Sequence, residues 1–495
     1  MRIQPQRCLC LLLIVPISSA WSLPKSSTTK GFLSSQPQSR PFNQLTRLSL
    51  SRLAMNADTA AVSMTNEPPS ANKCNWSIVA LLVSAFLNLL GFTMAGPITP
   101  ALGQHFDLTV GASFGSLTSA YPLGMLFGLF LWPSLSDKLG RPPVMTLSLL
   151  GTGLGLAAQA YVVATNKPLW IFLLSRVITG SFAGSSPIAK AYLADISGPN
   201  LSRNLAWRDA ASTLAFLVGP LLGGVFLGST TSLTFVIGLS SVASLLAAVI
   251  VGALVQETDV VGGVSSKKEN TVADEGSKMK QFDNTAADII SCPLGTSIWS
   301  GVATVCVISF LFNVGDSTFH AFFSALLKAK NVSASSIGLV YSSLAAISFG
   351  VSAGGTAKIM KKFGPVPTCA MGLLCVGSGL VSMGLGASSA AWVTVAAASI
   401  YYCGVPLYSP TIPTILLRCV PPNKRGFILG LDGAINTIAR IFTPLVMGQL
   451  YKTRGASAAF GLAGKAALLA ATVAVAKRVH VVRQEQRQVV ETKVD

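Results

Sequence analysis

The feature that most constrains this chain is a series of apolar stretches, each about 20 residues long, separated by short polar loops. A helix of that length crosses the hydrocarbon core of a bilayer and satisfies its own backbone hydrogen bonds there. Twelve such spans are predicted, six before and six after a hydrophilic segment. The sequence therefore predicts an all-α membrane protein of two six-helix bundles. The spans are numbered in chain order, and their predicted centres are Ser84, Met125, Leu156, Gly180, Val218, Ala243, Phe310, Ala346, Leu374, Val405, Ala439 and Ala467.

The composition agrees with a membrane protein and argues against nucleic-acid binding. Of the 495 residues, 51% are hydrophobic and only 11% are charged, whereas soluble chains carry about 25% charged residues. The net charge of +18 comes from basic residues spread over loops and termini, a distribution that suits an anionic membrane surface better than nucleic acid. The expected partners are thus the lipid bilayer and a small-molecule solute, and the chain is expected to act as a monomer.

The first residues read as a targeting leader. Residues 1–20 resemble a secretory signal peptide, because Arg2 and Arg7 form a basic end before an apolar core that is too short to span a bilayer. Residues 21–72 contain many basic and hydroxyl residues, and the first acid is Asp58, which is transit-peptide composition. This arrangement resembles the bipartite leaders of algae with secondary plastids and predicts a plastid envelope protein. The alternative is a disordered basic tail on a protein of the secretory pathway or plasma membrane.

The distribution of lysine and arginine predicts which side of the membrane each loop faces. Loops 2–3, 4–5, 6–7, 8–9 and 10–11 carry most of the basic residues, and the opposite loops carry five: Lys167, Lys328, Lys330, Lys452 and Arg454. Basic loops stay on the cytoplasmic or stromal side, which we call the inner end of the protein. The domain boundaries follow: an N-terminal bundle at 73–255, a central hydrophilic loop at 256–297, a C-terminal bundle at 298–477 and a tail at 478–495.

The loop between spans two and three carries a short charged motif. Residues 135–141 read L-S-D-K-L-G-R, where Gly140 permits a tight turn. Asp137 can accept hydrogen bonds from a neighbouring helix N-terminus, and the charge of Arg141 resists translocation. The motif resembles the loop signature of the major facilitator superfamily, G-x-L-x-D-[RK]-x-G-[RK], although Pro133 replaces the leading glycine. The resemblance implies that Asp137, Gly140 and Arg141 brace an inner gate.

The second half of the chain echoes this loop. Residues 358–364 read K-I-M-K-K-F-G, so that Gly364 matches Gly140 while Lys361 stands in the place of Asp137. Two six-span repeats related by an axis along the membrane normal are the facilitator architecture.

Three further motifs resemble the drug:proton antiporter group, which includes the tetracycline exporters. Residues 87–92 (L-N-L-L-G-F) resemble the opening of that group, and residues 191–196 (A-Y-L-A-D-I) follow Arg176 in span four. In span five, residues 219–224 read G-P-L-L-G-G. Here Gly219, Gly223 and Gly224 allow helices to approach closely, while Pro220 bends the helix. Such a helix is expected to seal the halves during rocking, and plain packing by small residues is the alternative.

Charged residues inside spans are the candidates for a substrate or proton pathway. Arg176 and Arg440 lie well inside spans four and eleven, where a charge normally faces a cavity or a partner. In the family, the arginine at the position of Arg176 is linked to proton coupling; snorkelling to the interface is the alternative. Asp316 and His320 share a face of span seven and are taken as the only acid and the only histidine well inside a span. The pair could carry a proton or could lie at the outer mouth.

Two further observations concern the pathway. Asn88 stands where the antiporter group usually has an aspartate. Because Asn88 cannot titrate, either Asp316 carries the proton, or the protein is a uniporter or is driven by another gradient. Tyr401 and Tyr402, near the middle of span ten, are the best candidates to line a cavity, since Pro406 and Pro410 break the helix nearby.

Together these features predict a secondary active transporter. A small organic solute, anionic or amphipathic, would cross by alternating access between the halves, in exchange for protons. An uncoupled uniporter and a non-transporting receptor or scaffold on the same fold are the alternatives. No cofactor or metal site is predicted, and no enzyme activity, because the sequence offers no nucleophile–base pair, phosphate loop or metal cluster.

Overall fold

The predicted spans are helical in the computed structural model, which describes residues 76–197, 200–228, 232–257, 293–295, 297–421 and 425–491. The predicted leader and most of the central hydrophilic loop lie outside these residues. Within them every regular element is a helix. In the N-terminal bundle the helices are Trp76–Thr93 and Ala95–His105 (span one), Ala112–Leu139, Arg141–Ala164, Leu169–Ser181 and Ser185–Ser197 (span four), Leu201–Gly228, and Leu233–Leu254.

The C-terminal bundle follows the same plan with more irregularities. Its helices are Ile298–Ala329 (span seven), Ala334–Val351 with a π-helical turn Ser352–Thr356 and Ala357–Phe363 (span eight), Pro365–Leu385 with a 3₁₀ turn Gly386–Ser388, Ala391–Tyr408 and Thr411–Cys419 (span ten), and Arg425–Glu491.

The last helix contains both predicted spans eleven and twelve. Gly455, with φ 84° and ψ 173°, interrupts the helical backbone inside Arg425–Glu491, and this left-handed region favours glycine. By length and hydropathy the described residues give eleven candidate spans, because Phe427–Gln484 counts as one. The number twelve stays a prediction, with Gly455 as the point where spans eleven and twelve would meet.

Large apolar side chains cover the outside of the bundle. Phe127, Val249 and Leu385 are 65%, 63% and 76% exposed, and many others resemble them. A water-soluble monomer rarely exposes such extended apolar surface. The pattern fits a bundle surrounded by lipid, as the hydropathy predicts.

Span four is broken at a point where another span supports the backbone. Between Ser181 and Ser185, the Ser148 hydroxyl of span three donates to the carbonyl of Phe182 at 2.5 Å and accepts from the amide of Gly184 at 3.1 Å. Backbone groups freed inside a membrane need such partners. The break places the two parts of span four, and therefore Arg176 and Lys190, along the interior of the bundle.

The two bundles meet at their outer ends. Gly224 of span five lies against Gly338 of span eight, where a side-chain carbon at Gly224 would come within 2.8 Å of the Gly338 Cα. Gly115 of span two similarly lies against the backbone of Pro444 in span eleven. A large buried core runs across both bundles here, whereas a smaller one around Leu81 belongs to the N-terminal bundle alone. The space between the bundles is therefore closed at the outer end in this structure.

Candidate functional site

A cavity of about 530 Å³ lies in the interior of the protein. The N-terminal bundle provides most of its lining, and Arg440 of span eleven contributes from the other side. Phe92, Met125 and Leu156 supply apolar surface, while the polar and charged groups include Asn88, Tyr121, Gln159, Arg176, Lys190 and Arg440. Three of the lining residues are cationic, and none of the described lining residues is an Asp or a Glu. The cavity therefore presents a positive lining with apolar surface beside it.

Arg176 lies in this lining, as its depth in span four predicts. Its guanidinium carbon lies 5.8 Å from the centre of the Phe172 ring, close enough for a cation–π contact. Its Nε atom is buried and has no hydrogen-bond partner among the described residues. A buried cation that is only partly satisfied is costly in a membrane, so the arrangement leaves Arg176 with capacity to bind an anion in the cavity.

Asn88 also lines the cavity, but it is used as a neutral cross-link. Its Nδ2 donates to the Ser185 hydroxyl at 3.3 Å, and its Oδ1 accepts from the Ser244 hydroxyl at 3.4 Å. The side chain thus connects span one with spans four and six. Hydrogen bonds of this kind hold membrane helices together, and a neutral amide makes them without a charge to compensate.

Arg440 faces the cavity and is held by span seven. Its Nε donates to Asn313 Oδ1 at 3.0 Å, and its Nη2 lies 3.7 Å from Asp316 Oδ2. The side chain is still 45% exposed, so part of the guanidinium is free to meet a solute. The charge of Arg440 is visible in the sequence, but the amide of Asn313 carries no sequence signal that could have revealed its role.

Asp316 accepts contacts from three different side chains. Besides Arg440, the Tyr401 hydroxyl donates to its Oδ1 at 2.7 Å, and His320 Nε2 lies 3.6 Å from the same oxygen. Asp316 and His320 therefore lie on the same face of span seven, as predicted. The carboxyl group is nearly buried, whereas half of the His320 side chain is exposed.

The tyrosines of span ten do not line the cavity, contrary to the expectation from the sequence. Tyr401 is 1% exposed, because its hydroxyl is bound to Asp316 and its ring stacks on Phe319 with centroids 4.4 Å apart. Tyr402 meets Phe319 edge-on at 5.5 Å. Both rings pack against span seven, and Tyr121 and Gln159 of the other bundle reach the cavity instead.

The inference that Asp316 is the only acid well inside a span is wrong. Asp432 lies in span eleven and is 8% exposed. Its Oδ2 accepts a hydrogen bond from Asn436 Nδ2 at 3.0 Å, one helical turn away. The spacing of Asp432, Asn436 and Arg440, at four-residue intervals on one face of a helix, is the signal that could have revealed this row.

The charged loop between spans two and three forms an ion-pair cluster. Arg141 pairs with Asp137 at 2.5 Å and with Asp195 of span four at 3.2 Å. Asp137 is thus bound to the side chain of Arg141, the first residue of the helix of span three; hydrogen bonds from that helix N-terminus stay a prediction. Gly140 has φ 96°, as a tight turn requires, and Glu257 packs directly against it.

The corresponding loop of the second half has the same backbone but different surroundings. Gly364 has φ 87°, yet no described atom would meet a side chain added there. Lys361 and Lys362 are exposed. The cluster of carboxylates that surrounds Arg141 has no counterpart among the described residues of this loop, so the two loops differ.

The glycines of span five lie at close helix contacts, as the G-P-x-x-G-G motif predicts. A side-chain carbon at Gly219 would collide with Thr93, and one at Gly223 would come within 2.7 Å of the Met94 carbonyl oxygen. The carbonyl oxygen of Pro220 is packed against Gly338. Span five therefore packs against span one with one face and against span eight of the other bundle with another.

Comparison with known proteins agrees with this architecture. The sequence profile of the Major Facilitator Superfamily matches residues 81–400 and, in a second match, residues 305–493. The chain belongs to the major facilitator superfamily. It is accordingly a multi-pass membrane protein and a secondary transporter, and its family indicates transport rather than catalysis.

Several characterised members of the superfamily resemble the chain in sequence. The class E tetracycline resistance protein of Escherichia coli is 26% identical over 76% of this chain and 88% of that protein. The class C tetracycline resistance protein of the same species is 29% identical, but the match spans only 31% of this chain and 38% of that protein. Major facilitator superfamily domain-containing protein 10 of Mus musculus is 35% identical over 30% of this chain and 38% of its own length.

Solved structures share the fold of the transporter. The human organic anion transporter MFSD10 (TETRAN) aligns with a TM-score of 0.58 and 19% identity, over 82% of this chain and all of that chain. A D-xylose–proton symporter aligns with a TM-score of 0.65 and 15% identity, over 80% of this chain and 96% of that one. These similarities establish the major facilitator fold.

Proposed function

We propose that this transporter moves a small organic anion by alternating access, in exchange for protons. The observation that carries the proposal is the cavity lined by Arg176, Lys190 and Arg440 without a described carboxylate. In a water-poor interior, a lining of one charge sign strongly favours the opposite charge. The apolar surface of Phe92 and Leu156 beside these cations suits the hydrocarbon part of an amphipathic solute.

Exchange for protons is supported by the motifs of the N-terminal bundle. The G-P-L-L-G-G segment at 219–224 and the similarity to tetracycline resistance proteins both favour antiport. The similarity to a human organic anion transporter is consistent with an anionic cargo. The neutral Asn88, fixed by Ser185 and Ser244, favours the second candidate, an uncoupled uniporter.

The gate roles belong to the same proposal. Arg141, bound to Asp137 and Asp195, would hold spans three and four together at the inner end. Gly224, packed against Gly338, would form part of the outer seal. In alternating access such contacts break and reform as the two bundles rock.

Transport of two matched probes into proteoliposomes tests the charge of the cargo. Naphthalene-1-sulfonate is a permanent anion, and 1-naphthyltrimethylammonium is a permanent cation with the same rings. We expect uptake of the anion only, with Arg176→Gln and Arg440→Gln each lowering it at least tenfold. Arg454→Gln, at an exposed position next to Gly455, should leave it unchanged. Uptake of the cation instead would contradict the proposal.

An imposed pH gradient tests the coupling. Exchange predicts that an acidic lumen accelerates uptake of naphthalene-1-sulfonate, because protons leave as the anion enters. Uptake that ignores the gradient would establish a uniporter, and uptake accelerated by an acidic exterior would show cotransport. Either of these outcomes overturns proton exchange. The preference for an anion is tested separately, by comparing uptake of the two naphthyl probes.

The membrane that contains the transporter is a separate proposal. The composition of residues 1–72 supports a bipartite leader, and we propose the plastid envelope of an alga with secondary plastids. Imaging of a copy tagged at the carboxyl terminus, with and without residues 1–72, tests it. Retention of the same location after the deletion would overturn the leader assignment. We further propose a monomer, which the mass of the purified protein–detergent complex tests.

A further inference from the structure

We infer that Asp432, and not Asp316, carries the coupling proton in the C-terminal bundle. The inference deepens the proposed proton exchange and depends on it for its transport consequence. It is drawn from the different surroundings of the two carboxyl groups and from the hydrogen bonds that connect Asp432 to Arg440.

Asp316 is surrounded by groups that stabilise its anion. The Tyr401 hydroxyl donates to it at 2.7 Å, Arg440 Nη2 lies at 3.7 Å, and His320 Nε2 lies at 3.6 Å. A buried carboxylate that has both a hydrogen-bond donor and a cation resists protonation, since the proton would have to displace favourable contacts. Asp316 therefore suits a fixed negative charge.

Asp432 has far fewer compensating contacts. It is 8% exposed, and its hydrogen-bond donors are neutral: the amide of Asn436 at 3.0 Å and the hydroxyl of Ser309. No cation of a described side chain lies within ion-pair distance. The other titratable side chains that face it are Cys306 of span seven and Tyr408 of span ten. Burying a charge without a cation is expensive. Asp432 is consequently the carboxyl group that takes up a proton at low cost.

A chain of aligned hydrogen bonds connects Asp432 to the cavity. Arg440 Nε donates to Asn313 Oδ1, Asn313 Nδ2 donates to Asn436 Oδ1, and Asn436 Nδ2 donates to Asp432 Oδ2, each at 3.0 Å. All three bonds point the same way, and such chains polarise one another cooperatively. The chain ends on the carboxylate, which accepts a stronger hydrogen bond when it is ionised.

This chain explains how a proton and an anion could bind in turn. With Asp432 ionised, this series of hydrogen bonds is strong and holds the Arg440 side chain where it lines the cavity. With Asp432 protonated, the chain weakens, and the nearest charge for the Arg440 guanidinium is Asp316, 3.7 Å away. The Arg440 guanidinium then moves towards Asp316 and away from the bound solute. Binding of a proton at Asp432 therefore releases the anion.

Infrared spectroscopy of the purified full-length protein tests the protonation without any transport assay. A protonated carboxyl group gives a C=O band that an ionised one lacks. We expect this band to titrate with pH in the wild type and to disappear in Asp432→Asn. It should persist in Asp316→Asn and in Asp107→Asn, a control on an exposed outer loop. A band that survives in Asp432→Asn, or is lost in Asp316→Asn, overturns the inference.

Transport then tests the consequence. In proteoliposomes, Asp432→Asn, which mimics the protonated state, should reduce the acceleration of naphthalene-1-sulfonate uptake by an acidic lumen at least tenfold, whereas the exposed-loop control Asp107→Asn should keep the wild-type acceleration. Retained acceleration overturns the role of Asp432. If the wild type itself shows no acceleration, the proposed proton exchange has failed, and the infrared result alone decides whether Asp432 is the protonated group.

Discussion

The hydroxyl of Ser148 in span three is bonded to the carbonyl of Phe182, at 2.5 Å, where span four is broken. The same hydroxyl accepts from the amide of Gly184 at 3.1 Å. One side chain therefore compensates two backbone groups that a continuous helix would satisfy by itself. The position of Arg176 and Lys190 in the cavity depends on this support.

Replacing Ser148 with alanine should destabilise the transporter. The change removes both hydrogen bonds and leaves the Phe182 carbonyl and the Gly184 amide with their mutual bond at 2.8 Å and a long contact from Thr152 at 3.5 Å. The two lost bonds together should cost about 1–3 kcal/mol. A lower thermal unfolding midpoint of the purified protein in detergent checks this. Ser134→Ala is the matched control, because Ser134 is exposed and its hydroxyl bonds only the carbonyl of Phe130 in its own helix; an equal fall in both variants would contradict the prediction.

Replacing Gly224 with valine should block transport by disturbing the outer contact. Even the first side-chain carbon would come within 2.8 Å of the Gly338 Cα, and backbone cannot yield as a flexible side chain can. We expect at least a tenfold loss of naphthalene-1-sulfonate uptake. Gly238→Val tests the specificity of the effect, since no described atom lies within 4 Å of a side chain at Gly238; normal uptake by Gly224→Val would refute the seal.

Replacing Asp195 with asparagine should weaken the inner gate. Arg141 would lose its partner on span four while keeping Asp137. Because both groups of the Arg141–Asp195 pair are partly exposed, we expect a stability change of only about 1 kcal/mol or less, together with a clear fall in the rate of uptake. Initial rates and unfolding midpoints measured side by side check this, with Asp107→Asn, on an exposed outer loop, as the control; an unaltered rate would argue against the bracing role.

Replacing Tyr401 with phenylalanine should loosen the Asp316 cluster. The ring contacts with Phe319 would stay, but the hydroxyl donor at 2.7 Å would be lost. Hydrogen bonds between membrane helices contribute about 0.6–1.7 kcal/mol, so we expect a fall of about 1 kcal/mol in stability. Chemical denaturation in mixed micelles measures it, and Tyr161→Phe, with an exposed ring, should show no change.

The sequence predicted the elements that depend on local pattern. The spans could be recognised by their length and hydropathy, because a helix that crosses a bilayer must be both long enough and apolar enough. The turn at Gly140 and its repeat at Gly364 were predicted from glycine and charge, and both have the positive φ that such turns need. The close contacts of Gly219 and Gly223 also followed from small residues at fixed spacing.

The site was predicted only in part. Arg176 and Arg440 could be found because a charge inside an apolar span is conspicuous, and Asp316 and His320 because they are four residues apart on one helix. Asp432 was missed, since it lies about two turns from the start of its helix at Arg425, close to the basic loop before it, and reads as a loop residue. Tyr401 was wrongly expected to line the cavity. Its hydrogen-bond partner, Asp316, lies on another span and 85 residues away in sequence, so the sequence contained no sign of the contact that buries the tyrosine.

The sequence by itself determined that the chain enters lipid and where it turns, and it identified some of the charges inside the spans. Hydropathy, glycine conformation and the cost of a buried charge act over a few neighbouring residues. Only the tertiary structure decided which of those charges compensate one another. Arg440 lies against Asn313 and Asp316 of span seven, and Arg141 against Asp195 of span four, since packing sets the distances between helices. These contacts are also the basis of our proposal that Asp316 stays ionised while Asp432 accepts a proton.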